Sequence, residues 1–212
     1  DCDIGYSVVN YFLNGYTISN LIGHRSKRIG VEVLTTFLPY TVIDSLHTVM
    51  KRVGLEVESL TLEPIAAINV TIPKELQMLN LALVDIGAGT SDIAITRDGS
   101  VVAYAMAHIA GDEITEAIAK YLLVDFNTAE KIKIELSTEK EKVTFVDILK
   151  KNRTVKCSEI VDAIMPTVEL LAKTIAQKII EYNQKAPNAV FLIGGGSKVL
   201  GLAKKIAEYL EL

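Results

Sequence analysis

Asp85-Ile-Gly-Ala-Gly-Thr-Ser-Asp92 lies between an apolar run, Leu81-Ala-Leu-Val84, and an alternating run, Asp92-Ile-Ala-Ile-Thr96. The pattern puts its glycines in a tight turn between two strands, not between a strand and a helix. Such a turn lets successive backbone N–H groups face phosphate oxygens, and Thr90 or Ser91 can add a hydroxyl donor. Asp85 and Asp92 bracket the same phosphates with carboxylates, which repel them unless Mg²⁺ or an ordered water stands between. That arrangement suits ATP.

A second segment, Val190-Phe-Leu-Ile-Gly-Gly-Gly196, reads as a strand running into a glycine turn. From Ser197 the pattern becomes helical, with apolar Val199, Leu202, Ile206 and Leu210 on one face. Backbone without side chains at Gly194, Gly195 and Gly196 lets a purine and its ribose lie close, and a following helix N-terminus favours negative charge. The same residues also suit a plain strand-to-helix packing turn.

In this order, about a hundred residues apart, the two motifs resemble the actin-like ATPase superfamily, and most closely its bacterial cell-division family, FtsA. The resemblance extends to Gly111-Asp-Glu-Ile-Thr-Glu-Ala-Ile-Ala119, Thr128-Ala-Glu-Lys-Ile-Lys133, Leu62-Glu-Pro-Ile-Ala-Ala67 and the stretch from Tyr6 to Pro39. Ala129-Glu-Lys-Ile-Lys-Ile-Glu-Leu-Ser137 is also similar to the adenosine-side helix of the 70-kDa heat-shock chaperones. The resemblance implies an α/β actin-like ATPase (ribonuclease H-like) fold, here domain II with part of domain I.

It also implies roles. Asp85 and Asp92 would act catalytically through Mg²⁺ and water, with Glu63 reaching the metal's hydration shell. Gly87, Gly89 and Thr90 would hold the phosphates, and Ala88 replaces a glycine usual in the family. Gly111 and the run Gly194 to Gly196 would border the nucleotide. Glu130 would accept from ribose hydroxyls, Lys133 and Ser137 would flank the base, and Lys198 would lay its stem on the adenine. Glu130 and Lys133 equally suit a surface ion pair, being i, i+3 neighbours, and Asp112 reads as a helix N-cap.

FtsA-like proteins polymerise, recruit the tubulin-like division protein and reach the membrane through a C-terminal amphipathic tail, with ATP acting more as an assembly switch than as a rapidly turned-over substrate. The expected partners are therefore ATP, further copies of the chain and the tubulin-like protein, in the cytoplasm or at the membrane face. Lys204 to Leu212 is amphipathic but belongs to the glycine-turn helix, which makes it core rather than membrane anchor. Chaperone-like, pilus-assembly and kinase-like members of the superfamily remain the alternatives.

The family pattern includes a first phosphate hairpin, Asp-x-Gly, near the start of domain I. Asp3-Ile-Gly5 mimics it, but the following Tyr6-Ser-Val-Val-Asn-Tyr-Phe-Leu does not continue it. The chain is therefore read as a fragment truncated at the N-terminus, with that hairpin upstream of Asp1; alone it is expected to bind Mg-ATP weakly or not at all and to show no turnover. The expected divisions are 1–38, the end of a small inserted subdomain; 39–78, part of domain I with the connector; 79–110 with 158–212, subdomain IIA; and 111–157, subdomain IIB.

Composition fits a folded protein: 212 residues, half of them apolar and 23% charged. A net charge of −4 gives no electrostatic footprint for nucleic acid, and the basic run Lys150-Lys-Asn-Arg153 reads as a solvated loop. Two cysteines and three scattered histidines carry no metal-ligand spacing. No leader or apolar run of membrane-spanning length is visible.

Elsewhere the pattern predicts a hairpin of strands Ser7 to Leu13 and Tyr16 to Ile22 around Asn14-Gly15, and a third strand over Arg28 to Phe37. A helix opening at Pro39 and stopped by Gly54 should follow, then a strand over Val57 to Leu62 and a helix over Ile65 to Ile72. Further helices are expected at Asp112 to Val124, Thr128 to Leu136 and Ser158 to Tyr182, with a charged loop over Thr138 to Lys142. Pro166 should kink or break the long helix.

Overall fold

The computed structural model describes residues 2–138 and 140–212, which form two compact units. Asp1, and Glu139 within the expected charged loop, lie outside the described residues. The first unit comprises Asp1–Asn80 with Thr96–Ala103, the second Leu81–Ile95 with Tyr104–Leu212.

In the first unit, β1 (Cys2–Leu13) lies between β2 (Tyr16–Ile18) and β3 (Ile29–Leu38), antiparallel to both. Asn14 and Gly15 both take positive φ, as the two-residue hairpin turn requires. Asp3-Ile-Gly5 is part of β1, where Asp3 accepts from the Gly5 N–H beside a register shift. Two helices follow, α1 (Tyr40–Arg52) and α2 (Glu63–Thr71). Pro39 is the N-cap of α1, one position earlier than its usual place at N1, while Pro64 sits inside the first turn of α2.

The second unit contains β4 (Leu81–Ile86), β9 (Ala189–Ile193), most of β5 (Ser91–Arg97) and the second half of β6 (Ser100–Ala107); the strand order is β6-β5-β4-β9. Leu81, Ala82, Leu83, Val84 and Ile86 are all nearly fully buried, which explains why β4 reads as a continuous apolar run rather than an alternation. Asp98 and Gly99 make the β5–β6 turn with positive φ at both positions.

Between β6 and β9 the chain forms α3 (Gly111–Leu122), α4 (Phe126–Leu136), a hairpin of β7 (Lys142–Val146) with β8 (Asn152–Lys156), and α5 (Cys157–Asn183). After β9 come a four-residue 3-10 turn, Gly195–Lys198, and α6 (Leu202–Leu210). Helix α5 packs against α3 and α6, and its Ile160, Ile164, Val168, Leu171, Ile175 and Ile179 are buried. Each such side chain contributes roughly 1.5–3 kcal/mol on burial.

Several expectations are corrected. Residues 57–62 form no strand, and β2 ends at Ile18 rather than Ile22. The β7–β8 hairpin occupies a stretch read as loops: Val143 and Phe145 point inward, but the alternation lasts only five residues among charged neighbours. Asp112 is not an N-cap; α3 is capped at Ala110, whose N–H donates to Glu113 Oε2 at 2.7 Å. The last helix does not start at Ser197, because Gly201, at φ 82°, separates the 3-10 turn from α6.

Helix α5 continues unbroken through Pro166. The proline lies on the exposed side, so the carbonyl left without its partner can be hydrated, while buried Ile164 and Val168 hold both flanking turns in place. Pro166→Ala should therefore stabilise the chain by about 1–3 kcal/mol in urea unfolding, since it restores a helix bond and forfeits no burial. Unchanged or lower stability would show that the helix has fully absorbed the proline.

Candidate functional site

Parallel pairing of β4 with β9 sets Asp85 opposite Ile193, so the chain leaves both strands at the same end of the sheet. There the turn after β4 and the glycines after β9 meet. Gly194 has φ 81° and ψ 170°, a region essentially restricted to glycine. A Cβ on it would collide with the Asp85 carboxylate and lie 2.5 Å from the Ile86 carbonyl oxygen. A Cβ on Gly196 would collide with the Ile86 side chain, whereas one on Gly195 would meet nothing within 4 Å. Gly194 and Gly196 therefore permit the close approach, and Gly195 faces open space.

The turn itself is closed by the Gly87 N–H donating to the Thr90 carbonyl at 3.0 Å, and Thr90 Oγ1 donates to Asp92 Oδ2 at 3.2 Å. Its carbonyls are engaged from the far side. Gly111 N–H donates to Gly87 O at 3.1 Å and Asp112 N–H to Ala88 O at 2.8 Å, which docks the start of α3 under the turn. Gly111 is buried there; a Cβ would lie 3.0 Å from Gly87 O and 3.1 Å from Lys133 Nζ.

Lys133 completes the junction. Its ammonium donates to Glu130 Oε2 at 2.7 Å, Thr115 Oγ1 at 2.8 Å and Gly111 O at 3.1 Å, which accounts for all three of its protons. The lysine side chain is only 13% exposed, so the pair with Glu130 is part of the packing of α3 on α4 rather than a solvated surface pair. With its head thus held, Lys133 lines the cleft without a free ammonium proton. Ser137, at the end of α4, donates to Lys198 O at 3.1 Å and ties that helix to the 3-10 turn.

These pieces enclose one cleft of about 570 Å³. Gly87 and Ala88 line it from the turn, Glu130, Lys133, Ile134, Ser137 and Thr138 from α4 and its end, and Gly195, Gly196, Lys198 and Val199 from the glycine turn. Asp112 also lines it. Asp85, Gly89, Thr90 and Asp92 belong to the same turn, and Gly194 abuts Asp85. Glu63 belongs to the first unit, where it opens α2. The sequence reading missed Ile134, Thr138, Val199 and the place of Asp112 in the lining, and it missed Thr115, whose partner lies on another helix.

Charge is arranged unevenly. Burial first, and the neighbouring Asp92 charge second, push the Asp85 carboxyl above its ordinary value. Burial also acts to raise Glu130, but hydrogen bonds from Lys133 and Thr115, with the lysine charge, outweigh it and hold that carboxyl below its ordinary value. Glu130 is therefore a fixed anion, whereas the Asp85–Asp92 pair carries a repulsion that a cation would relieve. Among the described residues no group of three or more acidic, His or Cys side chains forms a metal cage. The donor set fits Mg²⁺ held largely by water and ligand oxygens.

A family model described as Cell division protein FtsA matches residues 82–212, more than half of the chain. The chain belongs to the FtsA family. It is 28% identical to the cell division protein FtsA of Pseudomonas aeruginosa over 97% of its own length and 53% of that protein's. With FtsA of Bacillus subtilis the identity is 23%, over 81% of the chain and 41% of the relative. The chain thus spans about half the length, or less, of these relatives.

Among solved structures it is similar to the PilM-PilN type IV pilus biogenesis complex, with TM-score 0.70, 21% identity, and coverage of 91% of this chain and 52% of that one. It is also similar to MreB5 of Spiroplasma citri bound to ADP, with TM-score 0.64, 22% identity, and coverage of 84% and 60%. The fold is that of the actin-like ATPases.

The first two glycines of the run Gly194 to Gly196 differ in a testable way. Gly194→Ala combines a glycine-only conformation with a collision against Asp85 and Ile86 and should cost at least ~2 kcal/mol in denaturant unfolding. Gly195→Ala should change stability by less than about 0.5 kcal/mol, because its Cβ enters open space. Equal losses would show that the glycine turn is held by something other than its approach to β4.

Proposed function

We propose that the cleft of the second unit binds an adenine nucleotide with Mg²⁺, and that the chain is the nucleotide-binding part of an FtsA-type, actin-like scaffold of bacterial cell division. The observation that carries this reading is the convergence of the phosphate-type turn, the glycine turn and the Glu130-Lys133-Ser137 face on one cleft of about 570 Å³. That volume is within the usual range for small-molecule sites. MreB5, a protein of the same fold, is bound to ADP in its own structure, which makes Mg-ADP the ligand to test here. FtsA membership favours a role in division over one in pilus assembly, since the PilM likeness at 21% identity speaks for fold alone.

In this reading Gly87, Gly89 and Thr90 bind the phosphates. Asp85 and Asp92 orient the waters of the metal, which supplies charge neutralisation at the phosphates. Glu130 accepts from the ribose, Ser137 and the Lys133 stem border the base, and Lys198 covers it. Phosphoryl transfer needs the nucleotide clamped from two sides, and the described residues offer one phosphate-facing turn. The chain alone therefore binds without measurable turnover. The nucleotide would act as an assembly ligand, with further copies of the chain and the tubulin-like division protein as partners. Membrane association would rest on other segments, since no helix among the described residues is long and apolar enough to cross a bilayer.

Asp85 provides the test. Its raised value means that the fold favours the neutral acid; this stability is full below the ordinary value of 3.8 and is lost as pH rises through the raised one. At pH 7 without ligand, Asp85→Asn should therefore melt at a higher temperature than the natural chain, and near pH 3 the two should coincide. With Mg-ADP the order should reverse, because the ligand stabilises only the chain that keeps the carboxylate. If Mg-ADP stabilises neither chain, or both equally, the reading fails.

A further inference from the structure

Thr115 is fully buried at the centre of the junction between α3 and α4. Its hydroxyl accepts from Lys133 Nζ at 2.8 Å and has one proton to give. Two acceptors are within reach, Glu130 Oε2 at 2.6 Å and Gly111 O at 3.1 Å. The carboxylate oxygen is both the nearer and the charged acceptor, so it takes the hydroxyl proton. Lys133 and Thr115 thus both engage Oε2, which leaves Oε1 of Glu130 without a protein donor among the described residues. Glu130 lines the cleft.

We propose that Thr115 is a positioning residue of the nucleotide site: its buried hydroxyl fixes the rotation of the Glu130 carboxylate so that Oε1 is presented to a ribose hydroxyl. The proposal rests on the adenine-nucleotide reading and deepens it, because Thr115 does not line the cleft and acts only through Glu130. Lys133 alone would not serve. A carboxylate held at one oxygen by one flexible ammonium can swing about that contact, whereas two donors from different helices, both on Oε2, define its plane. Lys133 joins the two ends of the site, since it also donates to Gly111 O, next to the peptide that docks under the phosphate turn.

Of the charged groups that line the cleft with Glu130, Lys133 on its own helix is paired with it, and Asp112 and Lys198 come from other elements. Loss of the Thr115 hydroxyl removes one of the bonds that hold the carboxyl low, so protonation of Glu130 should then weaken ribose binding at a higher pH than in the natural chain.

The experiment is a calorimetric titration with Mg-ADP and with Mg-2′,3′-dideoxy-ADP, which lacks both ribose hydroxyls. Thr115→Val keeps the shape and removes the hydroxyl; Thr115→Ser keeps the hydroxyl and serves where the valine variant fails to fold. Thr115→Val should weaken Mg-ADP by about tenfold and leave the dideoxy ligand unchanged, while Thr115→Ser binds both as the natural chain does. In a Glu130→Gln background the valine substitution should have no further effect. Equal weakening of both ligands, or of neither, overturns the positioning role. A natural chain that binds neither ligand overturns the nucleotide reading itself, so the two failures are distinguishable.

Discussion

The second unit depends on the close parallel pairing of β4 with β9, which are separated by about a hundred residues of chain. Parallel strands deliver their C-terminal ends to one edge, and in open α/β sheets that edge is where ligands bind. The pairing alone would not make a cleft. The chain must also turn away from β9 while still touching β4, and Gly194 and Gly196 allow this because they have no Cβ to strike Asp85 or Ile86. Once the two turns are in contact, the 3-10 segment carries Lys198 and Val199 into the lining, and Ser137 bonds to that segment from α4.

A second constraint works from beneath. The carbonyls of Gly87 and Ala88 are taken up by the first N–H groups of α3, groups that a helix cannot satisfy internally. The same contacts thus cap a helix and fix the turn, and they favour glycine at position 111, where a Cβ would lie 3.0 Å from Gly87 O. Lys133 then bonds α3 to α4 with every proton engaged. A site whose groups are held by bonds of this kind before a ligand arrives loses little conformational entropy on binding. The uncompensated element is the Asp85–Asp92 pair, where like charges sit together at cost to the fold. Strain or repulsion confined to one place in an otherwise satisfied site is a mark of function rather than of packing.

The amino-acid sequence by itself determined the strands and turns that carry local signals. Asn14-Gly15 and Asp98-Gly99 are hairpin turns because few residues tolerate positive φ, and the apolar run Leu81 to Val84 is a buried strand. The two glycine motifs and the Glu130-x-x-Lys133-x-x-x-Ser137 face were legible in the same local way, and the superfamily followed from the resemblance these motifs carry. The short β7–β8 hairpin was illegible because five residues of alternation among charges do not stand out from a loop, and the unbroken α5 because the energy that carries it past Pro166 comes from side chains packed on other elements.

Only the tertiary structure decided how the pieces meet: that Gly194 touches Asp85, that Asp112 lines the cleft instead of capping a helix, and that Thr115 on α3 bonds Glu130 on α4. A residue's conformational preference is written in its own covalent structure and its near neighbours, so sequence reports it. A hydrogen bond between Thr115 and Glu130 depends on the crossing of two helices, which is set by the burial of side chains throughout the unit and has no local signature.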